Sequence, residues 1–280
     1  MTRVVRTRAE LRAALADAPR PLGLVTTMGW LHDGHRALMR RARDESATTV
    51  VTIFVNPRQF NEASDYTRYP RNEAHDIAIC ESEGVDLVFA PGVEEIYLPG
   101  FDTTVSVGAV ARPLEGAARP GHFDGVATVV AILFDLVGAD RAYFGQKDAQ
   151  QVMVIRQMAR DLAIPTRVIA CPTVREPDGL ALSSRNVHLS PDERAASPVL
   201  RRALLAGRDL WAGGERSGDA IRAAMAAVLA EEPLANPEYV SVADGLTLAE
   251  LETIERPALL SLAVRFGATR LIDNEPLGLD

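Results

Sequence analysis

The stretch Thr27-Met28-Gly29-Trp30-Leu31-His32-Asp33-Gly34-His35 decides how the rest of the chain is read. An apolar run, Leu22-Gly23-Leu24-Val25, precedes it, and Arg36-Ala37-Leu38-Met39-Arg40-Arg41-Ala42-Arg43 follows with helical spacing. Strand, glycine-containing turn, helix is the grammar of a nucleotide site, because unpaired N–H groups and the positive dipole end converge at a helix start. Two histidines three apart around Gly34 sharpen it. On one helical turn they share a face, and both imidazoles can donate to phosphate oxygens. The spacing also predicts that Gly34 lets a ligand approach the backbone closely. Competing readings are a zinc pair, for which no third ligand is apparent nearby, and two surface histidines without a role.

Working outward, two further apolar β-branched runs, 48–55 and 85–89, predict interior strands of a parallel sheet. Thr7-Arg8-Ala9-Glu10 fits a capping box opening a helix to about residue 18. The second strand ends abruptly at Asn56-Pro57-Arg58-Gln59-Phe60-Asn61. Ligands of open parallel sheets bind beyond the carboxyl ends of strands, so Asn56 and Gln59 are expected to grip a small polar substrate. Residues 65–71 read as a polar loop containing Tyr69, residues 72–83 as a helix, and residues 103–107 as a strand outside the main alternation. Residues 109–124 read as a long irregular segment carrying Arg112, Arg119 and His122. The apolar stretch 125–137 predicts a buried or dimer-packing helix.

A second chemical cluster is Phe144-Gly145-Gln146-Lys147-Asp148-Ala149-Gln150-Gln151. A lysine at a helix start opposes the dipole unless it answers an anion, so Lys147 is a candidate phosphate contact, with Gln151 four residues on. Residues 166–174 read as the last strand of this half, limited to an edge or a strand end by Pro172. Beyond a Pro177-Asp178-Gly179 turn, Ser183-Ser184-Arg185-Asn186 offers two hydroxyls and a guanidinium as a phosphate clamp on a movable loop. From residue 190 the texture changes to Ala/Leu/Arg-rich helices, 191–212 and 217–232, and then to three strand candidates, 239–243, 258–266 and 269–273. The fold class expected is therefore α/β: a Rossmann-like parallel-sheet domain over 1–174 and a smaller α+β domain over 175–280 that carries the Ser-Ser-Arg loop.

The net charge of −8 argues against a nucleic-acid protein but leaves room for a local basic pocket. Cys80 and Cys171 lie far apart within apolar runs and read as reduced thiols of a cytoplasmic protein. The N-terminus lacks a signal-peptide pattern, and no run reaches the ~18 apolar residues of a membrane span.

Taken together, the motifs Thr27–His35, Phe54-Val55-Asn56-Pro57-Arg58-Gln59-Phe60, Tyr69-Pro70-Arg71, Phe144–Gln151 and Asp178–Asn186 resemble the pantoate–β-alanine ligase family. That family belongs to the His-x-Gly-His nucleotidyltransferase superfamily, and the likeness covers essentially the whole chain. The resemblance implies ATP-dependent ligation of pantoate and β-alanine to pantothenate, AMP and pyrophosphate, through pantoyl-adenylate. It implies an ATP site formed by Met28, Gly29, Trp30, Leu31, His32, Asp33, Gly34, His35, Gly145, Gln146, Lys147, Asp148, Val174, Leu182, Ser183, Ser184 and Arg185. His32, His35, Lys147 and Arg185 would be the catalytic residues among these. Gln59, Gln151, Asn56 and Tyr69 would serve pantoate and β-alanine. It further implies Mg²⁺ with ATP (its protein ligands unidentified), a homodimer, and no nucleic-acid or membrane partner. Thr26, Trp30 and Leu182 depart from the usual Pro, smaller residue and Met, which bears on pocket shape. Two alternatives stand beside this reading: another adenylyl- or cytidylyltransferase of the superfamily, and a nucleotide-sensing module without turnover.

Overall fold

The fold is described from a computed structural model, for residues 2–61 and 63–278, with the side chains of 63–65 set aside. Contacts divide the chain into two compact units. The first comprises residues 1–146 and 150–172, the second 147–149 and 173–280.

The first unit is a six-stranded, all-parallel sheet. Its strands are β1 (Arg3–Val5), β2 (Leu22–Thr27), β3 (Thr48–Ile53), β4 (Leu87–Phe89), β5 (Arg141–Gly145) and β6 (Arg167–Cys171), in the order β1-β4-β3-β2-β5-β6. β2 and β3 are buried along nearly their whole length, as apolar and β-branched runs covered on both faces must be. Strand order reverses between β2 and β5. The crevice beyond their carboxyl ends is where such sheets bind ligands, and the turns after Thr27 and Gly145 both open there.

Helices α1 (Arg8–Leu15), α2 (Asp33–Glu45), α4 (Glu73–Ser82), α7 (His122–Val137) and α8 (Ala149–Asp161) connect the strands, with short α3 (Ala63–Arg68), α5 (Val93–Ile96) and α6 (Glu115–Ala118) between them. The Thr7/Glu10 capping box opens α1 as the motif predicts. Leu38, Met39 and Ala42 of α2 and Ile79 and Cys80 of α4 pack on Val25, Val51, Val88 and Tyr143 of the sheet.

Four local expectations need correction. Residues 103–107 form no strand; the backbone there is tethered by Val105 N–H, which donates to Thr128 Oγ1 at 2.9 Å. Residues 65–68 belong to α3 rather than to a loop. Residues 109–124 are not wholly irregular: Ala109–Ala111 is a 3-10 turn, α6 follows, and His122 already begins α7. The apolar 125–137 stretch is buried within its own unit, against α1, β2 and the turn Pro57–Gln59. It is a core helix and offers no separate support for a dimer.

The second unit packs α10 (Val199–Ala212) and α11 (Gly218–Ala230) on an antiparallel sheet, β7 (Asn236–Asp244), β8 (Ala258–Phe266) and β9 (Thr269–Leu277). The single helix expected over 191–212 is two, α9 (Pro191–Ala196) and α10. Pro198 lies between them and lacks the N–H needed to continue the first. β9 runs four residues past its expected end, because Asn274, Glu275, Pro276 and Leu277 remain in register with β8.

Candidate active site

At the end of β2 the chain turns sharply. Gly29 has φ +82° and Trp30 φ +53°, and a side chain is strained in that region. What holds the turn is the buried Asp76 of α4, whose carboxylate accepts from Trp30 N–H (2.9 Å) and Leu31 N–H (2.8 Å). At Gly29 a Cβ would lie 2.8 Å from Asp76 Oδ2, so the glycine lets the carboxylate approach. Asp76 was not expected from sequence; its only signal is an acid beside the apolar Ile77-Ala78-Ile79-Cys80 run.

His32 is the N-cap of α2 and His35 its third residue, and the two form a capping box made of imidazoles. Gly34 N–H donates to His32 Nδ1 (3.1 Å), and His32 N–H donates to His35 Nδ1 (3.3 Å). With both Nδ1 atoms accepting, the proton of each neutral ring sits on Nε2. The ring centroids are 4.2 Å apart. At Gly34 a Cβ would stand 2.8 Å from His32 Cε1, so the glycine leaves room for the histidine ring. Asp33 is largely exposed, with Arg36 Nε 3.5 Å from its carboxylate.

Beyond β3, Asn56 and Gln59 meet inside the unit. Asn56 is 1% exposed and uses every hydrogen-bonding position it has. Its Nδ2 donates to Gln59 Oε1 (3.0 Å) and Gly125 O (3.1 Å), while its Oδ1 accepts from Arg58 N–H (3.2 Å) and Tyr97 O–H (2.7 Å). Asn56 therefore holds the Gln59 side chain in place. Gln59 presents its Nε2 toward Met28, donating to Sδ at 3.1 Å. Its carbonyl accepts from His122 Nδ1 (2.9 Å) and Arg119 Nη2 (3.3 Å), while Arg119 Nη1 lies 3.2 Å from His122 Nε2. Gly125 lets α7 close on this turn, since a Cβ would stand 2.2 Å from Arg58 O.

Tyr69 stacks edge-on against Phe60, with centroids 5.7 Å apart. Gln151 is half-buried on α8. Its neighbour Gln150 is buried and clamps the 110–115 segment, donating to Val110 O (3.0 Å) and Pro113 O (2.8 Å) and accepting from Glu115 N–H (3.0 Å). Gly145 ends β5, where an added Cβ would meet nothing within 4 Å.

In the second unit, Lys147 lies in the 3-10 turn Gln146–Asp148, just ahead of α8 rather than on it. Its Nζ is 3.5 Å from Asp148 Oδ1, and its carbonyl accepts from Asn274 Nδ2 (2.9 Å). The Pro177-Asp178-Gly179 turn closes a hairpin in which Leu182 N–H donates to Val174 O (2.9 Å), bringing two expected ATP residues together. Arg175 forks onto the buried carboxylate of Asp273 (2.6 and 3.0 Å). Ser183 caps the 3-10 turn Ser184–His188, accepting from Arg185 N–H (3.2 Å). Asn186 ties that turn to the hairpin through Glu176 Oε1 and Ala181 O (3.1 Å each). Lys147 and Ser183 line one small hollow with Asn186 and Asp273. Arg185 is exposed.

A parallel sheet with a double-histidine helix start at its topological switch point defines an α/β enzyme of the nucleotide-using kind. The pantoate-beta-alanine ligase family matches residues 3–276. The chain belongs to that family and is a ligase. It is 61% identical over 272 residues to the pantothenate synthetase of Roseiflexus sp. strain RS-1, covering 97% of this chain and 98% of the relative. The pantothenate synthetase of Agrobacterium fabrum is 51% identical, with 99% and 96% covered. Among solved structures, the pantothenate synthetase of Thermus thermophilus superposes with a TM-score of 0.93 at 51% identity, covering 98% of this chain and 99% of that one. The pantoate-beta-alanine ligase of Francisella tularensis, solved with β,γ-ATP and β-alanine, gives 0.80 at 32% identity, with 98% and 97% covered. Membership leaves the alternatives of nucleotidyl transfer and of a non-catalytic sensor without support.

Proposed function

We propose that the chain couples pantoate to β-alanine at the expense of ATP in two displacements at one site. The pantoate carboxylate attacks the α-phosphorus, pyrophosphate leaves, and pantoyl-adenylate forms. The β-alanine amine then attacks the acyl carbon and expels AMP. No covalent enzyme nucleophile is needed, so positioning and charge stabilisation carry the rate. His32 and His35 direct their Nε2–H groups at phosphate oxygens as negative charge grows there. Lys147, Ser183, Ser184 and Arg185 serve the same phosphates, while residues 28–31, Gly145, Gln146, Val174 and Leu182 border the nucleotide. Gln59 and Gln151 hold pantoate, with Tyr69 beside them; Asn56 acts through Gln59.

The observation that carries the reading is the imidazole capping box at the switch point, which sets both Nε2 atoms as donors, together with a Gln59 amide whose donor end is fixed. Mg²⁺ would arrive on the phosphates of ATP and neutralise their charge. Among the described residues no three His, Cys, Asp or Glu side chains lie close enough together to hold a metal ion, which suits an ion carried mainly by phosphate oxygens. Asp148 is the carboxylate nearest in sequence to Lys147 and the candidate to contribute one ligand.

We further propose a homodimer working in the cytoplasm. Family resemblance supports the first, and two free, buried thiols the second. No helix among the described residues is long and apolar enough to cross a membrane. Sedimentation analysis of the purified protein checks the dimer. The reaction is tested by AMP and pyrophosphate release from ATP with pantoate, with and without β-alanine. Sustained AMP release that requires both substrates is the expected result. Pyrophosphate without AMP when both are present would assign nucleotidyl transfer instead.

A further inference from the structure

The hydrogen bonds around Gln59 admit one arrangement, and its outer end lies on a residue that the motifs do not include. We infer that Tyr97 is a positioning residue for pantoate, acting through Asn56 to set the direction of the Gln59 amide. The inference rests on Gln59 being a pantoate ligand.

Asn56 Oδ1 is met by two donors, Arg58 N–H and Tyr97 O–H, and Asn56 Nδ2 by two acceptors, Gly125 O and Gln59 Oε1. Turning the Asn56 amide over would set N–H against N–H at Arg58 and oxygen against oxygen at Gly125, while the Tyr97 hydroxyl would have to turn from donor to acceptor. With Asn56 fixed, Gln59 must offer Oε1 inward, so its Nε2 faces outward as the donor end, with one N–H on Met28 Sδ. A pantoate oxygen needs that donor; a reversed amide would present a carbonyl and repel it.

Tyr97 is itself braced. Its ring lies 6.2 Å from Phe54 and 5.0 Å from Phe101, with the Arg58 guanidinium 5.5 Å from its centroid. Arg8 fastens the end of α5 just before it, donating to Glu95 O (2.5 Å) and Ile96 O (2.9 Å). Burial pushes the phenol up to about 12, so the hydroxyl keeps its proton at neutral pH. A braced, permanently protonated donor aimed at a carbonyl that another residue uses for orientation is a second rank of the substrate site.

Tyr97→Phe removes only the hydroxyl. It should raise the pantoate KM roughly five- to tenfold, the weight of one buried hydrogen bond, while the KM for ATP, kcat and Tm stay close to the parent's. The decisive measurement is a double-mutant cycle with Gln59→Ala. In the Gln59→Ala background, adding Tyr97→Phe should change the pantoate KM no further, because the amide it orients is gone. An unchanged pantoate KM in the single variant overturns the inference. So does an equal increment in both backgrounds, or a parallel loss for ATP and pantoate with a lowered Tm, which would make Tyr97 merely structural. If the parent protein itself releases no AMP from ATP, pantoate and β-alanine, the active-site reading fails, and not only the role of Tyr97.

Discussion

His35 has two occupations: its Nδ1 accepts from the His32 backbone and its Nε2 carries the ring proton. His35→Ala is expected to lower adenylation by about 10²-fold or more, like removal of an oxyanion donor, as read by pantoate-dependent pyrophosphate release. Gln59→Ala should instead act mainly on the pantoate saturation curve and leave the ATP curve near its parent. The placement of His32, His35 and Gln59 just beyond strand ends is legible in the sequence, because short motifs after apolar runs carry it. Asn56 is legible as a residue beyond a strand end, but its four side-chain hydrogen bonds are not, since they join it to residues as far off in sequence as Gly125. Asp76 and Tyr97 are not legible. They act on residues 45, 46 and 41 positions away, and no local pattern encodes a contact of that span.

At the scale of elements, the approach of α7 to the Pro57–Gln59 turn is set by one missing side chain. Gly125→Ala forces a methyl against the Arg58 carbonyl, where both partners are backbone, and should cost about 1–3 kcal/mol. Thermal unfolding would show the loss, and a raised pantoate KM would show that the turn has moved with it. Gln150 does comparable service for the turn before α6. Leu114 there has φ +51°, a strained conformation for a leucine, and three backbone groups around it depend on the Gln150 amide. Gln150→Ala should take one hydrogen bond from each of those groups and destabilise the fold by about 1–3 kcal/mol in a denaturant titration. Sequence periodicity finds the long helices and interior strands, where many residues repeat one message. It fails at 103–107, whose β-branched residues are paired with no strand among the described residues. It fails again at 191–212, where one proline outweighs the apolar spacing.

For the molecule as a whole, titration behaviour follows from burial. Desolvation pushes the Cys80 thiol up to about 12 and the Cys171 thiol up to about 11. An unfolded thiol titrates near about 8.5. A raised folded value means that the contribution is complete below about pH 8.5 and is lost as pH rises toward the folded values, at about 1.4 kcal/mol per pH unit and group. Cys80→Ala should therefore flatten the alkaline limb of the stability curve, and both native thiols should resist alkylation near neutral pH until the protein is unfolded. Ion pairing works at the other end. Hydrogen bonds from Arg40 and Arg36 hold Glu83 below its usual value, and one from Arg6 does so for Glu73. Their stabilisation is present above the ordinary carboxylate range and is lost as pH falls through the depressed values. The sheet, the class of fold and the ligase chemistry were readable from motifs in order along the chain. The edge strand β1 was not, because three residues carry too little pattern.

Lys147, Asp148 and Ala149 belong to the second unit although their neighbours on both sides belong to the first, and Asn274 grips the Lys147 carbonyl. The two units are consequently not cassettes. A cut after Pro172 would strand those three residues in the amino-terminal fragment and part the Asn274 amide from the Lys147 carbonyl. No single crossover between two relatives can exchange the second unit alone, because one placed before Lys147 carries residues 150–172 of the first unit along with it. Recombination that respects the boundary near residue 172 still delivers a foreign Lys147 to a new host.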